Sequence, residues 1–182
     1  MFARTENLLL RPGWSEDAPA LAQAIRHDSV THDLCWGRWP VNDDQAQSWL
    51  RPGRDPLLPR LLVLSRTDGA PELVGGVGLH RMADGAAELD FWIRPGDRGR
   101  GFATEAARAM LGMAKTLGLR QLTACVFNEN GAAARVLEKL GFRQSGAVTR
   151  RSAAVPTSVP ASAQRFVRIM VGNRAEASLL AA

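Results

Sequence analysis

The chain has 182 residues, 46% of them hydrophobic and 23% charged with both signs interspersed, which suffices for one sizeable core and excludes a disordered or collagen-like polymer. Its net charge of +5 favours anionic partners such as nucleotide phosphates without specifying one. Cys35 and Cys125 lie too far apart in sequence for a zinc motif or a disulfide framework, and no apolar run has signal-peptide or membrane-spanning length. The expectation is a single domain over residues 1–182, with a short tail from about residue 175, in a reduced cytoplasmic setting and away from membranes.

Leu8-Leu9-Leu10-Arg11 reads as a first strand ended by Pro12-Gly13, and Ser15-Glu16-Asp17 has the composition of a helix start. After the aromatic connection Trp36-Gly37-Arg38-Trp39-Pro40, a second helix is predicted from Asp43 to Leu50, stopping before Pro52-Gly53. Strand-like runs follow at 61–64, 73–79 and 87–93, separated by Asp68-Gly69 and Asp84-Gly85, and these predict an antiparallel meander. Residues 102–117 place Ala103, Ala106, Met110, Met113, Ala114 and Leu117 on one helical stripe. Leu122 to Phe127 is the next strand, with Cys125 expected to be buried in it. Asn130 then caps a helix with Ala133, Val136, Leu137 and Leu140 inward and Gly141 as its stop. Phe142 onward and 165–171 read as a final strand pair joined by the Pro, Ser and Ala-rich stretch 152–162. A meander followed by strand, helix, strand, helix and strand predicts an α+β fold, a mixed and mostly antiparallel sheet with helices on both faces.

The segment Ile93-Arg94-Pro95-Gly96-Asp97-Arg98-Gly99-Arg100-Gly101-Phe102 leads from a strand into a helix through glycines and arginines. Unpaired N–H groups and the positive end of the dipole make such a helix start an anion site. Three phosphate loops compete for this stretch. A Walker A loop fits the spacing of Gly96 and Gly101, but Phe102-Ala103 stands where Lys and a hydroxyl residue are required. A dinucleotide fingerprint fits Gly99 and Gly101 but meets Thr104 at its third glycine, after a strand of an antiparallel meander. The third pattern, R-x-x-G-x-A over Arg98, Gly101 and Ala103, surrounds a pyrophosphate with backbone N–H groups from about Arg98 to Thr104.

Here the chain resembles the GNAT superfamily of N-acetyltransferases. Arg98 to Ala106 is similar to that superfamily's acyl-CoA pyrophosphate loop and following helix, and Asn130 to Phe142 is similar to its later helix. Leu8-Leu9-Leu10-Arg11-Pro12 and Phe91-Trp92-Ile93 resemble the branch that contains the ribosomal-protein N-terminal acetyltransferases. The resemblance covers roughly residues 5–172 and is tightest from Glu88 to Phe142. It implies a GNAT-like fold, acetyl-CoA as cosubstrate and no metal. It implies cofactor contacts from the backbone of Phe91, Trp92 and Ile93, from Arg98, Gly99, Arg100, Gly101, Phe102, Ala103 and Thr104, and from Asn130.

Acetyl transfer to an amine needs a neutral nucleophile, a donor for the developing oxyanion and a proton for the leaving thiolate. Alternation places Glu88, Asp90 and Trp92 on one face of their strand. By resemblance Glu88 is the candidate base, with Asp90 second, and a solvated or salt-bridged strand carboxylate is the plainer reading of either. An α-amine asks less of such a base than an alkylamine, because its pKa lies near 8 rather than near 10. The chain departs from the family in having no tyrosine and in carrying Ala133 where a serine is frequent, so water is the expected proton donor. His27, His32 and His80 show no ligand or triad spacing and are expected in solvent or packing roles. Trp36 and Trp39 are candidates for lining the acceptor cleft, or equally for closing the edge of the core. The expected acceptor is a protein or peptide N-terminal α-amine, with a small-molecule amine as the alternative. A non-catalytic acyl-CoA or RNA-binding module comes third, since the arginines gather at one phosphate-sized turn rather than along an aromatic-interleaved surface. Monomer and homodimer both stay open.

Overall fold

Among the described residues, short alternating apolar runs build one eight-stranded sheet, and two pairs of helices cover its two faces. The computed structural model describes residues 1–26, 42–51, 55, 57–67, 69–151 and 160–170. The strands are β1 (Ala3–Arg4), β2 (Leu8–Arg11), β3 (Arg60–Ser65), β4 (Glu72–Arg81), β5 (Ala87–Ile93), β6 (Gln121–Phe127), β7 (Arg143–Arg150) and β8 (Ala161–Ile169). The helices are α1 (Ala18–Ile25), α2 (Asp43–Leu50), α3 (Phe102–Thr116) and α4 (Gly131–Lys139). Single 3₁₀ turns at Ser15–Asp17 and Pro95–Asp97 lead into α1 and α3.

The sheet order is β1-β2-β3-β4-β5-β6-β8-β7, and every neighbouring pair is antiparallel except β5 with β6. This is the mixed, mostly antiparallel α+β arrangement expected from the order of elements. Three details differ from the sequence reading. The two-residue β1 is too short to leave any periodic signal. Ser15-Glu16-Asp17 forms a 3₁₀ turn before α1, with Pro19 in the first helical turn. Strand β8 begins at Ala161, inside the stretch expected to be a loop, because pairing with β7 recruits residues whose own propensity is weak. The segment holding Trp36, Trp39, His27 and His32, and the tail from about residue 175, lie outside the described residues.

One core cluster packs α3 and α4 against the sheet through Ala106, Met110, Ala114, Leu137 and Phe166, with Val77, Leu79 and Leu89 supplied by β4 and β5. The other packs α1 and α2 through Leu21, Ile25, Ala46 and Trp49 on Leu62, Leu64 and Trp92. Strand β4 carries one extra residue, Val74, between the pairs Leu64↔Leu73 and Val63↔Gly75. That bulge reverses the alternation, so Leu73 serves the α1/α2 side while Val74, Val77 and Leu79 serve the α3/α4 side. Downstream of the bulge, Gly78 and His80 face the same way as Asp90 and Glu88, their partners in register.

The centre of the sheet opens. Strands β5 and β6 pair over only two positions, Ala87↔Leu122 and Glu88↔Thr123, and then diverge. Arg94 N–H donates to the Val74 carbonyl at 2.8 Å, so alternation turns the backbone groups of Trp92 and Asp90 towards β4 and those of Phe91 and Ile93 towards the opening.

Candidate active site

A cavity of about 310 Å³ fills this opening. Its walls include side chains from both faces of β5, Ala124, Cys125 and Val126 of β6, the first turn of α3, and α4 from Asn130 onward. Cys125 is therefore half-buried on a cavity wall, a correction to the expected buried strand residue, and the divergence of β5 from β6 is what uncovers it.

The floor on the α3 side is the Arg98 to Gly101 turn. Gly99 and Gly101 adopt φ of +79° and +84°, values that side-chain-bearing residues rarely take. An added Cβ at either would meet nothing within 4 Å. The glycines thus answer a backbone demand, and the space in front of them is open. No side chain caps α3 at Gly101, and the first helical bond runs from Glu105 N–H to the Gly101 carbonyl at 3.0 Å. The N–H groups of Phe102, Ala103 and Thr104 therefore precede the helical ladder and stand at the cavity wall.

The turn is held rigid from behind. Buried Asp97 accepts from Arg94 Nε at 2.8 Å and lies 3.4 Å from Arg100 Nη1. Arg100 also donates to Thr67 Oγ1 at 3.0 Å and stacks over the Phe102 ring at 4.7 Å. Of the residues expected at the cofactor site, Phe91, Trp92, Ile93, Arg98, Gly99, Gly101, Phe102, Ala103, Thr104 and Asn130 all line the cavity, and Arg100 does not. Its guanidinium braces the loop instead. Arg98 Nε reaches the Ile93 carbonyl at 3.3 Å. Asn130 caps α4 as expected, its Oδ1 accepting from Ala133 N–H at 3.0 Å. Arg135 and Lys139 project from α4 onto the same wall. They escaped the sequence reading, although their i,i+4 spacing beside the buried stripe was a usable signal.

The other end of the cavity is acidic. Glu88 is 3% exposed and Asp90 is half-buried, both on the face predicted by alternation. Glu88 Oε2 is buried with no hydrogen-bond partner. Gly78 lies opposite Asp90, where a Cβ would come within 3.1 Å of Asp90 Oδ1 and 3.4 Å of Arg60 Cγ. Burial pushes the Arg60 guanidinium below its ordinary pKa, and the negative charge of Asp90 works in the opposite direction. His80, expected in a solvent or packing role, is buried between the two carboxylates: Nε2 lies 3.6 Å from Glu88 Oε1 and Nδ1 3.4 Å from Asp90 Oδ2. The Asp84-Gly85 turn could have revealed this, because a hairpin centred on it sets residue 80 opposite residue 88. No group of three or more His, Cys, Asp or Glu among the described residues is placed to hold a metal.

A sheet opened at its centre, with a glycine-arginine helix start on one side and a buried carboxylate on the other, defines an acyl-CoA-using transferase. The acetyltransferase (GNAT) domain family matches residues 7–143. The chain belongs to that family and is an acetyl-CoA-dependent N-acetyltransferase. It is 30% identical to the uncharacterized N-acetyltransferase YoaA of Bacillus subtilis over 149 residues, covering 78% of this chain and 82% of that protein. It is 27% identical to an L-methionine sulfoximine/L-methionine sulfone acetyltransferase of Pseudomonas aeruginosa over 143 residues, 75% of this chain and 81% of the other. Among solved structures, the ribosomal-protein-S5-alanine acetyltransferase of Vibrio fischeri superposes with a TM-score of 0.72 at 16% identity, covering 93% of this chain and 96% of that one. No helix among the described residues is long and apolar enough to cross a membrane.

Proposed function

We propose that the protein acetylates an α-amine at a protein or peptide N-terminus, with Glu88 as the base that takes the amine's proton. The observation that carries this reading is the buried, unpartnered Oε2 of Glu88 in the cavity wall, next to the opening onto which Phe91 faces. A carboxylate there has no structural partner to satisfy on that oxygen, and a protonated amine would supply one. When bound, acetyl-CoA supplies the acetyl group as a thioester. The N–H groups of Phe102, Ala103 and Thr104, with Arg98, would hold its pyrophosphate, and Arg135 and Lys139 extend the cationic wall. Phe91 and Ile93, turned to the opening beyond the last β5–β6 pair, would present N–H groups that orient the pantetheine arm and polarise the acyl carbonyl. Asn130 would reach the same arm.

Glu88 then acts on the acceptor. An α-amine with pKa near 8 is partly neutral at physiological pH, so a carboxylate suffices to remove its proton. Thiolate departure needs no dedicated acid, since a CoA thiol of ordinary pKa can leave and be protonated by water; this accommodates a chain without tyrosine. The N-terminal acceptor is suggested by the ribosomal-protein-S5-alanine acetyltransferase, which shares the fold at 16% identity, and rests on the chemistry of Glu88 rather than on that fold. A small amine is the second reading, favoured by the 27% identity to the methionine sulfoximine and sulfone enzyme. CoA release measured with Ala- and Ser-led peptides, L-methionine sulfone and spermidine separates the two. Peptide turnover lost about a hundredfold or more in Glu88→Gln, with acetyl-CoA binding intact, is the expected result. Turnover of only the small amines would replace the acceptor assignment.

A further inference from the structure

Glu88 poses a problem that its burial creates. A carboxylate 3% exposed that accepts a proton must pass it on before the next turnover, and little of its surface meets solvent. Among the described residues His80 is the basic group paired with Glu88, itself 8% exposed and held directly across the β4–β5 ladder. Its Nε2 is buried with no hydrogen-bond partner and lies 3.6 Å from Glu88 Oε1. Its Nδ1 lies 3.4 Å from Asp90 Oδ2, and the Asp90 side chain is 22% exposed. The three groups form a line from a buried carboxylate through an imidazole to a carboxylate that meets water. Among the described residues, Arg60 of β3 also faces the cluster, through Asp90.

We propose that His80 is a positioning residue that relays the acceptor's proton from Glu88 to Asp90 and solvent. This rests on Glu88 being the base. In the step, the acceptor N–H bond breaks and its proton forms an O–H bond on Glu88. His80 Nε2 takes that proton while Nδ1–H gives its own to Asp90 Oδ2, and Asp90 releases it to water, so charge and protons balance with no redox change. Both gaps exceed the length of a formed hydrogen bond, and closing them takes a shift of roughly half an ångström, as is common before a substrate draws a site together. On β4, Gly78 opposite Asp90 leaves that carboxylate the room to lean towards the ring. Imidazole is suited to the task because either nitrogen donates or accepts according to its protonation.

The test compares full-length wild type with His80→Gln, Asp90→Asn and Glu88→Gln, using an alanine-led tripeptide amide and L-methionine sulfone as acceptors. Thiol release is followed from about pH 6 to pH 9, and acetyl-CoA affinity is measured by calorimetry. His80→Gln should bind acetyl-CoA as wild type does and keep its acceptor KM. Its kcat should fall about tenfold or more at low pH, and the deficit should close as pH rises past the amine's pKa of about 8, where less proton needs to be removed. Imidazole added to His80→Gly should restore part of the rate. A wild-type pH profile in His80→Gln overturns the relay, and so does a pH-independent loss accompanied by weakened acetyl-CoA binding. An inactive Glu88→Gln beside a fully active His80→Gln rejects the relay alone, whereas a fully active Glu88→Gln removes the base on which both readings stand.

Discussion

Gly101 sits at a left-handed φ of +84° with open space where a Cβ would go. A Cβ there meets no protein atom within 4 Å, so an aspartate adds backbone strain without a clash at that atom, and it places negative charge in front of the N–H groups that start α3. Gly101→Asp is expected to abolish acetyl-CoA binding in calorimetry while leaving a cooperative melt, with Gly101→Ala, which adds backbone strain without charge, weakening binding only modestly. Wild-type affinity in a folded Gly101→Asp would sink the loop assignment. This residue was legible in the sequence because glycine spacing before a helix is a local signal. So was the shared face of Glu88, Asp90 and Trp92, which follows from alternation alone. His80 was not read, because its meaning depends on the register of a hairpin rather than on its neighbours in sequence. The direction of the Arg100 side chain was not readable for a related reason. A basic residue inside an anion loop can face the anion or the protein behind it, and Asp97 and Thr67 draw it backwards.

Helix α3 is tied to the β1–β2 turn by one side chain. Glu105 accepts from Thr5 Oγ1 and from both the backbone and side-chain nitrogens of Asn7. Burial works against its ionisation, and the hydrogen bonds from Thr5 and Asn7 more than offset that, leaving the carboxyl below its ordinary 4.5. A folded pKa below the unfolded one means stability that is complete above about pH 4.5 and is lost as pH falls below it. Glu105→Gln should therefore melt below wild type at pH 7 and close the gap as pH falls towards 3.5. A gap of constant size across that range would show that the clamp acts through packing rather than charge. Most elements were readable from periodicity, including α2, whose predicted bounds Asp43–Leu50 are those observed. The exceptions were elements made by partners. Strand β1 has two residues, β8 extends into a polar stretch because β7 pairs with it, and the parallel contact of β5 with β6 joins segments with a whole helix between them. No local pattern encodes such pairings.

At the scale of the molecule, two half-sheets, β1 to β5 and β6-β8-β7, meet through two residue pairs of backbone and through α3 and α4 on one side. A ligand that binds only the folded chain at a hundred times its Kd adds about 2.7 kcal/mol of stability. For a chain of this size that is a rise of roughly 5–10 °C in melting temperature. Saturating acetyl-CoA should produce it, and should slow amide exchange at Phe91 and Ile93 more than at Trp92, whose N–H already faces β4. Equal slowing at all three would mean that the cofactor stiffens the sheet generally rather than bridging it. The opening has a further meaning for the cell's handling of the protein. Sheets ordinarily expose unpaired backbone only at their outer strands, and there they guard it against pairing with other chains. Here such backbone is internal, and a coenzyme seated along β5 would screen it, so solubility of the purified protein, followed by light scattering at fixed temperature, should track coenzyme supply.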